Sequence, residues 1–291
     1  MPQIIHALDS HVDLVHDEVT LFSYVYRPQT SAVESPRPYF HPLRTLSGNI
    51  VSGFRPHDHR WHHGLSMTCA NLSGHNFWGG PTFVDGKYQQ FDNNEVQTAD
   101  ALYLQSSQVC GPDFNEFFHD VVWGDMLLAE RHEIRTTICE SYWELNLIFG
   151  IDNADNCTHE PKIWGSPTTQ GRENAGYGGL FWRGPRDFIG GQILMSDNRQ
   201  GADLMGQTSP WLAYIGQHDE TDDFSTLIFV DDAENPRHPT PWFVRNTTPM
   251  VCPYFAFHEE YKQAPGEGLN LNYRIIIADG KWDRERIEAM V

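Results

Sequence analysis

The sequence is short of the features that mark several large classes of protein. No stretch approaches the roughly eighteen consecutive apolar residues that a membrane-spanning helix needs. It has no GxGxxG turn after a strand, no P-loop and no GxSxG elbow, so nucleotide-binding and serine-hydrolase chemistry have no signature here. The five cysteines (Cys69, Cys110, Cys139, Cys157 and Cys252) are odd in number and never spaced as CxxC. That pattern fits reduced thiols better than a disulfide framework. Positive charge is scarce: 20 Lys and Arg stand against 39 Asp and Glu, a net charge of −19. Such a surface repels phosphate backbones and anionic lipid, which disfavours nucleic acid and membrane partners. The opening Met1-Pro2-Gln3-Ile4 has neither a basic n-region nor an apolar h-region, so a cytoplasmic protein is expected and the sequons at Asn71, Asn156 and Asn246 carry no weight.

Helix signal is weak and strand signal is strong. Residues 19–26 (VTLFSYVY), 142–149 (YWELNLIF), 227–230 (LIFV) and 273–278 (YRIIIA) are short, β-branched and aromatic. In 142–149, Leu145, Leu147 and Phe149 alternate with Glu144, Asn146 and Ile148, as in an antiparallel sheet with one face in the core. Turn pairs such as Asp85-Gly86, Asp152-Asn153 and Asp279-Gly280 separate the runs. The last eleven residues alone look helical. Asp283 is placed to cap a helix over residues 284–291, with Ile287 and Met290/Val291 on one face. The pattern predicts an all-β fold, a large antiparallel β-sandwich with a short C-terminal helix. Residues 1–291 are expected to form a single β-sandwich domain. The proline-rich stretch 27–42 is expected as an ordered extended loop within it, and a boundary near residue 155 is not favoured.

Chemistry is expected where histidines crowd. Four of the fifteen lie within Arg55-Pro56-His57-Asp58-His59-Arg60-Trp61-His62-His63-Gly64. If that segment is extended, His57, His59 and His63 share a side; if it coils, His59, His62 and His63 converge at i, i+3, i+4. Either arrangement can gather imidazoles around a divalent metal (candidates His57, His59 and His63) or around a proton in transfer. No HExxH spacing accompanies them, so the metal ion stays an open alternative. A second segment, Tyr177-Gly178-Gly179-Leu180-Phe181-Trp182-Arg183, offers Tyr177 and Trp182 for stacking on a sugar ring and Arg183 for a hydroxyl or carboxylate. A bulged strand is an equally open reading of it. Residues 235–245 form a rigid proline-rich loop that carries Trp242, and His258-Glu259-Glu260 adds an imidazole and two carboxylates.

Several of these residues occur in an order that resembles a known bacterial family: Tyr39-Phe40-His41-Pro42, Asp58-His59 with Trp61-His62-His63-Gly64-Leu65, Asn76-Phe77-Trp78, Tyr177-Gly178-Gly179-Leu180 with Arg183-Gly184-Pro185, Pro241-Trp242-Phe243, and Tyr273-Arg274 with Asp279-Gly280. Over about residues 35 to 285 the chain resembles the PmoA-like proteins, often labelled "methane oxygenase PmoA". A methane monooxygenase subunit of that name sits in a membrane, and no segment here is long enough to span one, so methane chemistry is not carried over. The resemblance implies a galactose-mutarotase-like supersandwich, a sugar-utilisation setting, and His59, His62, His63 and Arg183 as the matching site residues. One departure is that no arginine follows His63.

The resulting expectation is a carbohydrate-active protein whose histidine cluster performs acid–base chemistry on a sugar or keto-glycoside, of lyase, epimerase (isomerase) or mutarotase type. His59, His62, His63 and Glu259 are the catalytic candidates. Asp58, Arg55, Tyr177, Trp182, Arg183, Trp242 and His258 are the substrate-binding ones. A base (His59 or His63) would take the proton beside a sugar carbonyl, and a metal or Arg183 would stabilise the developing enolate. Mutarotation would need only an acid and a base, such as a histidine and Glu259. The alternatives are a non-catalytic carbohydrate-binding protein or an accessory subunit of a sugar oxidoreductase. No cofactor other than the open metal ion is expected. The partner is a small carbohydrate, with a homo-oligomer left open.

Overall fold

The computed structural model describes residues 2–105, 114–125, 127–153 and 160–291. Cys110, Cys157, the Asn156 sequon and most of the polar stretch around residue 155 lie outside the described residues. Two eight-stranded antiparallel sheets dominate. The first runs, in spatial order, Gln3–Ala7, His11–His16, Val19–Val25, Tyr39–Leu43, Leu65–Cys69, Gly178–Arg183, Met250–Pro253 and Trp242–Arg245. The second runs Gln192–Met195, Trp211–Gln217, Phe224–Asp231, Gly268–Asp279, Tyr142–Asp152, Leu128–Ile138, Phe114–Trp123 and Gln97–Gln105. The period-two reading of the strands holds. In Tyr142–Asp152 each of Trp143, Leu145, Leu147, Phe149 and Ile151 is buried while the residues between them are half exposed.

The core lies between the sheets. Phe22 of the first sheet meets Phe117 and Trp143 of the second, with ring centroids 6.5 and 5.9 Å apart, and Trp182 meets Phe229 at 5.6 Å. Each such ring, fully buried, contributes about 1.5–3 kcal/mol. The C-terminal helix is shorter than predicted, Arg284–Glu288, but its cap is the expected one: the Asp283 side chain accepts from Arg286 N–H. Ile287 and Met290 pack on the outer face of the second sheet with Trp211, Ile276 and Trp282, so the predicted apolar face is kept although the last residues leave the helix. The stretch 27–42 is more than an extended loop. It contains the 3-10 turn Ala32–Glu34 and the strand Tyr39–Leu43, and it buries Glu34 and Arg37. Among the described residues no helix is long and apolar enough to cross a membrane.

Polar groups inside the sandwich make its stability depend on pH. Tyr24 Oη joins His119 Nε2 (2.5 Å) and His132 Nδ1 (2.9 Å) across the two sheets. Glu130 accepts from Trp123 Nε1–H at 2.8 Å, and burial pushes its carboxyl up to about 8. Its folded pKa thus exceeds the unfolded value, so the stability tied to it is whole below about pH 4.5 and drains away as the pH rises to about 8. Between about pH 6.5 and about pH 8.5 the wild type is expected to lose about 2 kcal/mol that Glu130→Gln retains. Urea unfolding of both proteins across that range checks this, and parallel curves would refute it.

Alternation along the strands of the first sheet decides what faces the core and what faces the opposite side. Trp242, Val244, Leu180 and Trp182 point into the sandwich. Phe243, Phe181, Met250 and Cys252 point the other way, into a separate apolar cluster with Trp78 and Phe257, against which Trp61 and Tyr177 pack. The candidate site is built on that outer face.

Candidate functional site

The histidine segment coils. His59 N–H donates to Pro56 O at 2.9 Å and His62 N–H to His59 O at 3.0 Å, two successive turns that lay the His59 ring over the His62 ring, centroids 4.9 Å apart and planes at 26°. His62 is 2% exposed and wedged edge-on against Phe181 and Trp78. Burial, and then the positive charge of Arg183, hold its pKa well below the usual histidine range, so it is neutral at pH 7. Its Nδ1 has no hydrogen-bond partner among the described residues. His59 stands nearer the surface with Nδ1 3.4 Å from Asp58 Oδ2, an approach that falls short of a formed hydrogen bond, and Asp58 in turn accepts from Arg186 Nη2 at 2.8 Å. A carboxylate behind an imidazole that faces a cleft is the arrangement that orients a catalytic base.

The third ring of the predicted convergence turns away. His63 Nε2–H donates to Glu34 Oε2 (3.2 Å) and Arg60 O (3.1 Å), and burial takes its pKa down to about 3. Glu34 also receives both Nε and Nη2 of Arg55 at 2.8 Å. His63 and Arg55 therefore secure the loop from below instead of reaching a ligand.

Aromatic rings form the floor and walls of the cleft. The Trp61 indole lies on Gly79-Gly80, where a Cβ on Gly80 would come within 2.7 Å of the ring and where φ is +66°. Glycine is thus required there both by space and by backbone conformation. Trp78 packs on Tyr177 at 4.5 Å between centroids, and Tyr177 on Phe243 at 5.4 Å. The hairpin of Thr82–Val84 and Lys87–Gln89, turning at Asp85-Gly86 as predicted, carries Tyr88, whose hydroxyl meets that of Tyr177 at 2.8 Å. Arg172 lies over the Tyr88 ring and donates to its hydroxyl, and Arg245 lies over Phe243. Together these residues enclose a cavity of about 340 Å³, lined by His59, Trp61, His62, Trp78, Tyr88, Arg172, Tyr177, Phe243, Arg245 and Met250 with Gly79 and Pro81. That size is in the range of small-molecule sites, and among the described residues no carboxylate lines it.

Of the residues singled out in the sequence, His59, His62 and Tyr177 line the cavity, and Asp58 stands behind His59. The others are placed elsewhere. Trp182 and Trp242 are core residues, their indole N–H groups donating to Val51 O and Ser209 O. Arg183 is buried beside them in sequence but outside the lining, its Nη1 without a partner among the described residues. His258 is exposed and bonds Gly206 O, while Glu259 is exposed and outside the lining. His57, His59 and His63 do not come together as metal ligands: His57 Nδ1 faces Arg186, His59 faces Asp58 and His63 faces Glu34. Among the described residues no group of three or more His, Cys, Asp or Glu is arranged to hold a metal ion. Sequence reasoning missed Trp61, Trp78, Tyr88, Arg172, Phe243 and Arg245. The alternation of residues 242–245 could have supplied Phe243 and Arg245, since a core Trp242 puts its neighbours on the other face. Nothing local marks Arg172 or Tyr88.

Comparison with known proteins adds a family and a set of distant folds. The model of a family of unknown function, DUF6807, matches residues 11–291, and the chain belongs to that family. No curated protein matches it. Among solved structures it is similar to the GH36 alpha-galactosidase AgaB from Geobacillus stearothermophilus, at 10% identity and a TM-score of 0.47 over 96% of this chain and 41% of that one. An alpha-galactosidase from Lactobacillus brevis is similar at 9% identity and a TM-score of 0.44, over 96% of this chain and 39% of that one. A galactose mutarotase related enzyme from Lactobacillus acidophilus is similar at 9% identity and a TM-score of 0.30, over 97% of this chain and all of that one. The chain spans about two fifths of the length of the alpha-galactosidases. Likeness at these identities does not carry an activity from one protein to another.

Proposed function

We propose that this member of the DUF6807 family binds a carbohydrate in the cavity and that His59, oriented by Asp58, exchanges a proton with it. The observation that carries the reading is the joining of an aromatic floor to an Asp–His pair in one cleft of about 340 Å³. Trp61, Trp78 and Tyr177 offer faces on which the C–H side of a sugar ring can stack, with neutral His62 in the wall beside them. His59 Nε2 is left to take or return the proton. Glycoside hydrolysis by a carboxylate pair is not favoured, because among the described residues no Asp or Glu lines the cavity. The chemistry that remains is proton transfer beside a sugar carbonyl or at the anomeric hydroxyl, of lyase, epimerase or mutarotase type. The PmoA-like resemblance supports the same reading through the sugar-utilisation setting it implies.

A second reading, non-catalytic carbohydrate binding, is favoured by one observation: with His62 held neutral, no second protonatable imidazole and, among the described residues, no carboxylate accompanies His59 in the lining. Hydrogen exchange at carbon in aldoses and keto-glycosides in D2O and the rate of anomer interconversion, both followed by proton NMR, separate the two. His59→Ala is expected to lower whichever of these the wild type accelerates at least about a hundredfold while changing affinity by less than about threefold. Binding with neither accelerated by the wild type would leave the non-catalytic reading, and failure to bind any sugar would overturn both.

A further inference from the structure

The cavity has two chemically different ends. A chain of contacts runs from His59 through His62 and Trp78 to Tyr177 and Tyr88, and ends on the guanidinium of Arg172, with Arg245 beside it over Phe243. Neither Arg172 nor Arg245 has a carboxylate within 4 Å among the described residues, although Arg55, Arg186 and Arg274 each do. In a chain with 39 acidic side chains, a counter-charge is easily supplied. These two guanidinium groups instead lie on aromatic rings in the wall of the cleft. Arg245 is half-buried, and burial together with repulsion from Arg172 lowers its pKa from the usual arginine value. Two like charges held together in a partly buried cleft cost free energy that an anion between them would recover.

We propose that the ligand is an acidic sugar, and that Arg172 and Arg245 bind its carboxylate while the ring lies over Trp78 and Tyr177. The inference rests on the carbohydrate reading above and extends it to a substrate class, the uronates. A planar guanidinium is suited to carboxylate, forming paired, charge-assisted hydrogen bonds about twice as strong as neutral ones. The geometry also orients the substrate. In a pyranuronate the carboxylate sits on C5, and C2 is the ring atom across from it. With the acid group on the arginines, the C1–C2 edge is presented to His59 and His62, where the proton would be exchanged. The overall charge of −19 does not defeat this, since exposed charges farther away than about 8 Å are screened at physiological salt while the arginine pair is in contact.

Titration of wild-type protein with D-glucuronate, D-galacturonate, D-glucose, D-galactose and 4-hydroxybenzoate, read by calorimetry or by the fluorescence of Trp61 and Trp78, tests it. At least one uronate is expected to bind at least about tenfold more tightly than its neutral parent, a difference of about 1.4 kcal/mol. In Arg172→Gln/Arg245→Gln that advantage, measured as the ratio of uronate to neutral-sugar affinity within the variant, should shrink to within about twofold, with the far-UV spectrum unchanged. Equal affinity for uronates and neutral sugars in the wild type would overturn the acidic-sugar proposal and leave the carbohydrate reading standing. Tighter binding of 4-hydroxybenzoate than of either uronate would overturn both, as would no binding of any sugar.

Discussion

Lowering the pH from about 7 to about 5 is expected to remove most of the stability of this protein. Five histidines are held neutral, chiefly by burial: His41 is brought down to about 4, His63 and His119 to about 3, and His62 and His132 well below the usual range. Their folded values are below the unfolded value of about 6.5, so the unfolded chain binds more protons. The stability tied to them is complete above about pH 6.5 and is lost as the pH falls toward their folded values. At about pH 5 each contributes a loss of about 2 kcal/mol, and five give about 10 kcal/mol; protonation of Glu130 restores about 3 kcal/mol over the same interval, leaving a net loss of about 7 kcal/mol, comparable to the 5–15 kcal/mol that holds a domain together. Acidification also relieves repulsion among the 39 acidic side chains, but that repulsion is between exposed, largely screened charges and is the smaller effect. Urea midpoints measured in about 0.15 M salt at half-unit steps of pH should fall steadily below about pH 6.5. An unchanged midpoint down to about pH 5 would mean that these rings are not held neutral in the folded protein.

Replacing Arg37 is expected to be the most damaging single substitution near the site. Its side chain is 0% exposed, and burial lowers its pKa to about 9. The guanidinium donates to Ser66 Oγ (3.1 Å), Glu34 O (3.3 Å), Ser35 O (3.0 Å), Trp78 O (3.0 Å) and Trp61 O (2.8 Å). It thus ties the strand Leu65–Cys69 to the 3-10 turn and to the two tryptophans that frame the cavity. Arg37→Met leaves those carbonyls buried without a donor and removes the charge facing Glu34, a loss of about 3–5 kcal/mol. Arg37→Lys is expected to recover less than half of it, because an ammonium cannot reach five acceptors spread around a planar fork. Equilibrium unfolding in urea measures both, and a loss under about 1 kcal/mol for Arg37→Met would refute the assignment. Sugar binding should weaken in step, since Trp61 and Trp78 would no longer be held at their spacing.

The histidine segment illustrates how far local pattern reaches. Its i, i+3 spacing correctly brings His59 and His62 together once the chain turns at Pro56. The i+4 residue, His63, has the same chance of converging by spacing, yet it is drawn off by Glu34, which lies 29 residues earlier in a stretch whose sequence reads as a loop. The two tryptophans expected at the ligand fail for a related reason. Trp182 lies in a glycine-rich run open to reading as a ligand segment or as a bulged strand, and Trp242 in a stretch read as a proline-rich loop; both segments are strands, and the pleat sends these rings into the sandwich while Phe181 and Phe243 face out. Arg172 and Tyr88 meet across 84 residues, a distance over which no periodicity carries information.

By itself the sequence determined the architecture: β-branched and aromatic runs with period two can bury one face only by packing sheet on sheet, and Asp283 ends the chain with a capped helical turn. It also determined where imidazoles are dense. Long-range packing settles which of those imidazoles face a cleft, which arginines stand there without a counter-charge among the described residues, and which aromatic rings make its floor. The physical reason is that side-chain direction along a strand follows from short-range pleating, whereas a cavity is closed by residues far apart in the chain, brought together by hydrogen bonds such as those of Glu34 and Arg37.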